Sequence, residues 1–272
     1  DAALSGTLTE KWKVEFTGTP SAPIAADGKV FVADVDAHTV HALNAGDGKV
    51  LWSYVAGGRV DSPPAYYNGL ILFGSRDGWV HCLNAKDGAL VWSFKDLPDK
   101  LVGAFGQLES AWPVNGSVLV EDDTVYFAAG RSSFLDGGIF IYALDPRTGV
   151  VKNSRRIYGP FDDETGFPAA DKRATADPGS GFKSDIMVSD GDFLYVRHRA
   201  FNYDLTSAPE AKPHLIPSVG FIDGTPQHRT YWTFDTRLSW TKVSGIDTDI
   251  MVVDGSLFYG VQGFPTHRHS YF

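Results

Sequence analysis

Residues 42–52 read Ala-Leu-Asn-Ala-Gly-Asp-Gly-Lys-Val-Leu-Trp, and residues 82–92 repeat the phrase as Cys-Leu-Asn-Ala-Lys-Asp-Gly-Ala-Leu-Val-Trp. A degraded third copy, Ala-Leu-Asp-Pro-Arg-Thr-Gly-Val-Val-Lys-Asn, occupies 143–153, and Trp12 stands as far before Trp52 as Trp52 stands before Trp92. An internal repeat of this length narrows the fold sharply. Each unit is one supersecondary element that cannot bury its apolar face alone, so successive units must stack.

Within a unit the pattern is one of short strands and tight turns. Residues 21–26 form a strand, Asp27-Gly28 a hairpin turn, 29–33 a second strand, 39–44 a third, Gly46-Asp47-Gly48 another turn, and 49–54 a fourth. Four antiparallel strands in one period make a propeller blade, so the predicted class is all-β, a β-propeller with about five blades visible. The blades are placed at 20–54, 61–94, 114–153, 183–235 and 246–263, within a single domain over 1–272, after an opening strand at 8–16. Residues 95–113 read as an insertion and 154–182 as a long surface loop. Either the two ends complete one another in a five-bladed ring, or the chain carries part of a seven- or eight-bladed one.

Composition fits this reading and removes several function classes. Aromatic residues make up 13% of the chain, with seven Trp against two Met, which suits packed sheets. The formal charge of -9 argues against binding nucleic acid or an anionic membrane surface. No apolar run approaches the roughly 20 residues of a membrane-spanning helix. Cys82 is the single cysteine, which rules out an intrachain disulfide and a cysteine-based zinc cluster, and no metal site is predicted. The sequence opens at Asp1, as expected of a processed chain or of a piece of a longer one.

The repeated phrase, a hairpin followed by Ala-Leu-(Asp/Asn) and a Gly turn before Trp, resembles the repeat of the pyrroloquinoline-quinone-like (PQQ-like) β-propellers. The resemblance is carried by 42–52, 82–92 and 143–153. It implies that Trp12, Trp52 and Trp92 dock on Gly-containing turns such as Gly48 and Gly88 of the neighbouring blade. It also implies a periplasmic or extracellular location. The family includes quinoprotein alcohol dehydrogenases, outer-membrane assembly scaffolds and secreted members without a known role, so the resemblance does not choose a function. The dehydrogenases hold PQQ and calcium beside a vicinal cysteine pair. A chain with Cys82 alone departs from that pattern, so PQQ and calcium are disfavoured and no cofactor is expected.

Positions that recur are structural by that fact. His41 and His81 share one repeat position and are read as packing groups, and Asp27, Asp47, Asp87, Asp190 and Asp254 before Gly are turn chemistry. Positions that break the repeat carry the functional candidates. Arg59, Asp61, Arg76, Asp77, Trp79, Glu109, Trp112 and Arg131 fall in connections of successive blades. Guanidinium forks and Trp faces together suit an anionic saccharide or a loop of another protein, against the plainer reading of local salt bridges in solvated loops. A second group, His198, His228, Arg229 and Tyr231, could support proton abstraction as in a polysaccharide lyase, although ordinary loop residues are the favoured reading.

The functional expectation is a non-catalytic extracytoplasmic binding or interaction scaffold working through loops on one face. The alternatives are a lyase-type carbohydrate-active enzyme and a quinone-dependent dehydrogenase. Partners would be another protein, an anionic saccharide, or further blades of a longer chain.

Overall fold

The computed structural model describes residues 9–104, 106–159, 186–196, 199–208, 212–217, 232–236, 246–248, 250–254 and 257–261. No helix occurs among them. The first sheet is a four-stranded antiparallel meander of β1 (Ile24–Ala26), β2 (Lys29–Asp34), β3 (Thr39–Asn44) and β4 (Val50–Val55). The second repeats it with β5 (Ala65–Tyr67), β6 (Leu70–Gly74), β7 (Val80–Asn84) and β8 (Leu90–Phe94). After a two-stranded hairpin, β9 (Leu101–Ala104) and β10 (Gln107–Ser110), the third is β11 (Leu119–Glu121), β12 (Thr124–Ala129), β13 (Ile139–Leu144) and β14 (Val151–Ile157). The first strand of each sheet lies beside the first strand of the next, as radial blades around one axis require.

Apolar side chains fill the space between consecutive sheets. Phe31, Val40, Ile71 and Leu83 pack between the first pair, and Leu72, Val80, Phe127 and Leu144 between the second. Tyr126, Ile139, Met187 and Leu194 join the third sheet to the next.

Each repeat adds a specific clamp between blades. Trp52 on β4 lies opposite the small Ala42 on β3 and donates its indole N–H to Ala85 O at 3.2 Å in the following blade. Its ring covers Gly88, which has φ +74° and where an added Cβ would stand 2.8 Å from the indole. Trp12 sits the same way on Gly48, with Ala45 O at 3.1 Å, and Trp92 on Gly149, with Pro146 O at 3.0 Å. A residue with a positive φ and no side chain is needed at each turn, which only glycine supplies cheaply. Asn153 stands in the third copy where Trp would be, opposite Ala143. Arg155 takes over the clamp there: its guanidinium lies over the Phe201 ring and donates to Leu205 O at 2.9 Å and Ser207 Oγ at 2.8 Å.

Beyond residue 186 the described strands form shorter sheets. Strands β15 (Met187–Ser189), β16 (Leu194–Val196) and β17 (Arg199–Phe201) form one sheet, and β18 (His214–Pro217), β19 (Trp232–Asp235) and β20 (Ile246–Thr248) form another. Within the expected blade over 183–235, β19 bonds to β18 and β20. β21 (Ile250–Asp254) pairs with β22 (Leu257–Val261) in a further sheet. The expected opening strand at 8–16 has no ladder partner among the described residues, yet it alternates toward the first blade through Trp12, Val14 and Phe16.

Candidate functional site

Because the strands of each meander are antiparallel, its first and third turns lie at one end of the ring. The β2–β3 type of connection and the crossings between blades lie at the other. That crossing end gathers most of the sequence candidates. Asp36 comes from the β2–β3 loop, Arg59 and Asp61 from the β4–β5 crossing, Arg76 to Trp79 from the β6–β7 loop, and Glu109 and Trp112 from the segment after β8.

The structure joins these groups to one another. Arg76 is 3% exposed; its Nη1 donates to both carboxylate oxygens of Glu109 at 3.0 Å and its Nε donates to Asp61. Arg59, also buried, stands 3.4 Å from Asp61 and 3.5 Å from Asp36. The chain Asp36–Arg59–Asp61–Arg76–Glu109 therefore spans the first blade, the second blade and the insertion behind it. Burial pushes the Asp61 carboxyl above its ordinary range against the pull of Arg76 and Arg59. Burial alone would lower the Arg76 guanidinium, but Asp61 and Glu109 outweigh it and hold the group above its usual value. Backbone bonds fix the same contacts, from Arg76 N to Arg59 O and from Ser110 N to Arg76 O, at 2.9 and 2.8 Å.

The remaining candidates at this end are bound locally. Asp77 accepts from the Ser75 hydroxyl, which lies 3.3 Å from His81 Nε2, while His81 Nδ1 faces the Tyr54 hydroxyl at 3.2 Å. With Nε2 protonated, the row donates in one direction from Tyr54 through His81 and Ser75 to Asp77. Burial lowers the His81 pKa, partly opposed by the Asp77 charge. Lys95 lies over the Trp79 ring, and Trp112 donates its indole N–H to Asp136 O at 2.9 Å. Arg131 and Lys100 both hold the Asp136 carboxylate, and their bonds keep it below the usual carboxylate range. The second sequence group, His198, His228, Arg229 and Tyr231, lies outside the described residues.

One element at this end was not foreseen as an element. The hairpin β9–β10 lies across the crossing end as a strap. Gln107 reaches His38 of the first blade at 2.7 Å, and Glu109 reaches Arg76 of the second. Strand alternation then sends Leu101, Gly103 and Leu108 to the opposite face, where Leu101 is 58% and Leu108 is 68% exposed. Phe134 and Leu135, in the β12–β13 connection that Lys100 ties to the strap through Asp136, are exposed as well.

The described residues do not fit a quinone and calcium centre. Cys82 is the sole cysteine and is fully buried on β7 opposite Trp92, its thiol pushed up to about 12 by burial. The carboxylates of Asp61, Glu109 and Asp136 already hold arginine and lysine groups.

The family described as outer membrane protein assembly factor BamB matches residues 3–176. Among solved structures, the quinohemoprotein alcohol dehydrogenase ADHIIG of Pseudomonas putida HK5 is 18% identical with a TM-score of 0.55, over 82% of this chain and 40% of that one. A europium-containing methanol dehydrogenase is 18% identical with a TM-score of 0.51, over 70% of this chain and 41% of that one. BamB from Moraxella catarrhalis is 18% identical with a TM-score of 0.47, over 82% of this chain and 72% of that one. The chain thus spans about two-fifths of the length of the two dehydrogenases. No curated protein matches it. The dehydrogenase likenesses show the propeller architecture, and the repeats, blade clamps and family match together place this chain: it belongs to the PQQ-like repeat family described as outer membrane protein assembly factor BamB.

Proposed function

We propose that the chain is a non-catalytic, extracytoplasmic interaction scaffold that engages another protein through the crossing end of its propeller. One observation carries this reading. The charged groups of that end are tied to one another, whereas the strap they hold presents Leu101 and Leu108 to solvent. Large apolar side chains held outward on a braced element fit protein contact better than recognition of a sugar or a cofactor. An anionic saccharide would need the guanidinium groups of Arg59, Arg76 and Arg131, and all three face carboxylates. The family description, an assembly factor, supports a scaffold, and its outer-membrane setting supports placement outside the cytoplasm.

Photo-cross-linking tests the reading. A benzoyl-phenylalanine at Leu108 and another at Lys86, on the turn end, are compared in the extracytoplasmic fraction of the native host. The expected result is a discrete protein adduct from Leu108 and none from Lys86. Adducts from Lys86 alone, or none from either position together with dye reduction by the chain in PQQ, calcium and an alcohol, would overturn it.

A further inference from the structure

Three cations meet the β12–β13 connection, and one of them differs from the others. Lys100 and Arg131 both hold the Asp136 carboxylate, Lys100 at 2.7 Å. Arg156, paired across the sheet with Phe140 near the crossing end of β14, donates its Nε to Gly137 O of the same connection. Its guanidinium lies over the Tyr158 ring at 4.5 Å and over the Phe140 ring at 5.6 Å, and Trp112 packs edge-on against Phe140. Among the described residues no carboxylate pairs with Arg156, and the residue is exposed. A guanidinium carries five N–H donors in a planar fork, and Gly137 O takes one of them. We propose that the rest of this fork anchors a side-chain carboxylate on an acidic-apolar segment of the partner protein, a deepening that rests on the scaffold reading.

Stacking holds the anchor ready. The two rings and the Gly137 carbonyl fix the plane of the guanidinium before a partner arrives, so less side-chain freedom is lost on binding. Arginine and tyrosine are also among the residues that dominate the energy of protein contacts. Apolar side chains surround the anchor, since Phe134 and Leu135 of the same connection are exposed along with Tyr158. They offer no hydroxyl or amide to a sugar and suit an apolar residue beside the carboxylate. Lys100 ties the connection to the strap, so anchor and strap form one braced unit.

The charges in contact here favour an acid. Besides Asp136, the segment leading into the strap carries Asp99, which holds Lys95, and Asp96, which accepts from the Tyr142 hydroxyl. Glu109, on the inner face of the strap, is buried and bonded to Arg76. Lys95, Lys100 and Arg131 thus each hold a carboxylate, and the cation of this group without one is Arg156. The whole chain carries -9, yet charges farther apart than about 8 Å are screened at physiological salt, so the nearest groups decide.

Fluorescence anisotropy on the full chain tests this with a labelled peptide containing Asp-Phe-Asp-Leu and a version with Asn for both Asp. The acidic peptide is expected to bind, and the Asn version to bind about tenfold more weakly, the value of one charge-assisted bond. Arg156→Gln should impose the same loss on the acidic peptide. Arg156→Lys, which keeps the charge without the stacked fork, should fall between. Arg147→Gln, on an exposed turn at the opposite end, should bind as the parent does. Equal binding of the two peptides would overturn the anchor, as would an equal loss in Arg147→Gln and Arg156→Gln. Binding that appears only when Asp162, Asp163 and Glu164 are replaced by Asn, Asn and Gln would assign the anchor to this chain's own acidic stretch and also overturn the proposal. Arg156-dependent binding of polygalacturonate without binding of the peptide would do the same in favour of a saccharide. If the Leu108 cross-link persists while the peptide results fail, the acidic occupant is wrong and the scaffold stands. If both fail, the scaffold reading falls with it.

Discussion

At the scale of the residue, a repeat position can be conserved in place yet change its chemistry from blade to blade. His41, His81 and Tyr142 occupy one position and pack on Phe16, Tyr54 and Phe94 respectively. His81 is the one enclosed on both ring nitrogens, by Tyr54 and Ser75. Burial lowers its pKa from the ordinary 6.5, with Asp77 opposing. The unfolded chain therefore takes up this proton first as pH falls. Its contribution to stability is full above about 6.5 and is lost as pH drops through that value toward the folded pKa. Urea unfolding of the parent and of His81→Phe between pH 7.5 and 5 checks this. The parent should lose stability on the acid side more steeply than the variant; parallel curves would show that His81 does not titrate differently on folding. The packing role of His81 was legible from its spacing to His41, but the Tyr54–His81–Ser75–Asp77 row was not. Ser75 and Asp77 come from the β6–β7 loop, and Tyr54 comes from β4 of the preceding blade, whose approach depends on how blades lean together.

At the scale of the element, the clamps and the strap show why part of the molecule could be read and part could not. Turns such as Asp87-Gly88 and strands that alternate over whole repeats announce themselves, because one period encodes both the local conformation and its neighbour. Strand pairs β9 and β10 announce little: four residues each, a glycine in the first, and a turn through Gly106 at φ +75°. Their stability comes from distant contacts, Gln107 to His38 and Glu109 to Arg76, that no local pattern specifies. The same holds for the sheet of β18, β19 and β20, whose members are separated by long connections rather than tight hairpins. If the strap depends on Glu109, then Glu109→Gln weakens a charge-assisted bond. Hydrogen exchange at the Val102 and Ala104 amides should then quicken about tenfold, with β6 and β7 amides unchanged. Acceleration spread equally over β6 and β7 would mean that the strap is not an independently held unit.

At the scale of the whole molecule, the ring holds together through two devices at opposite ends. Tryptophans on glycine turns join successive blades at one end, and the buried charge chain joins the first blade, the second blade and the strap at the other. The first device was legible in the repeat. The second presented itself in the sequence as a cluster of arginines and carboxylates suited to a ligand, because sequence shows which charges exist and not which are buried against one another. Arg76, held by Asp61 and Glu109, braces the ring, and in the proposed scaffold role binding falls to the outer face of the strap. Removing Arg76 would leave Glu109 buried without its cation and Asp61 with Arg59 alone, at 3.4 Å, which costs about 3–5 kcal/mol. Equilibrium unfolding of Arg76→Met in denaturant is the direct test. A loss of that size at unchanged m-value is expected. A variant within about 0.5 kcal/mol of the parent, as expected for a surface position, would contradict the bracing role and make Arg76 a candidate for ligand binding again.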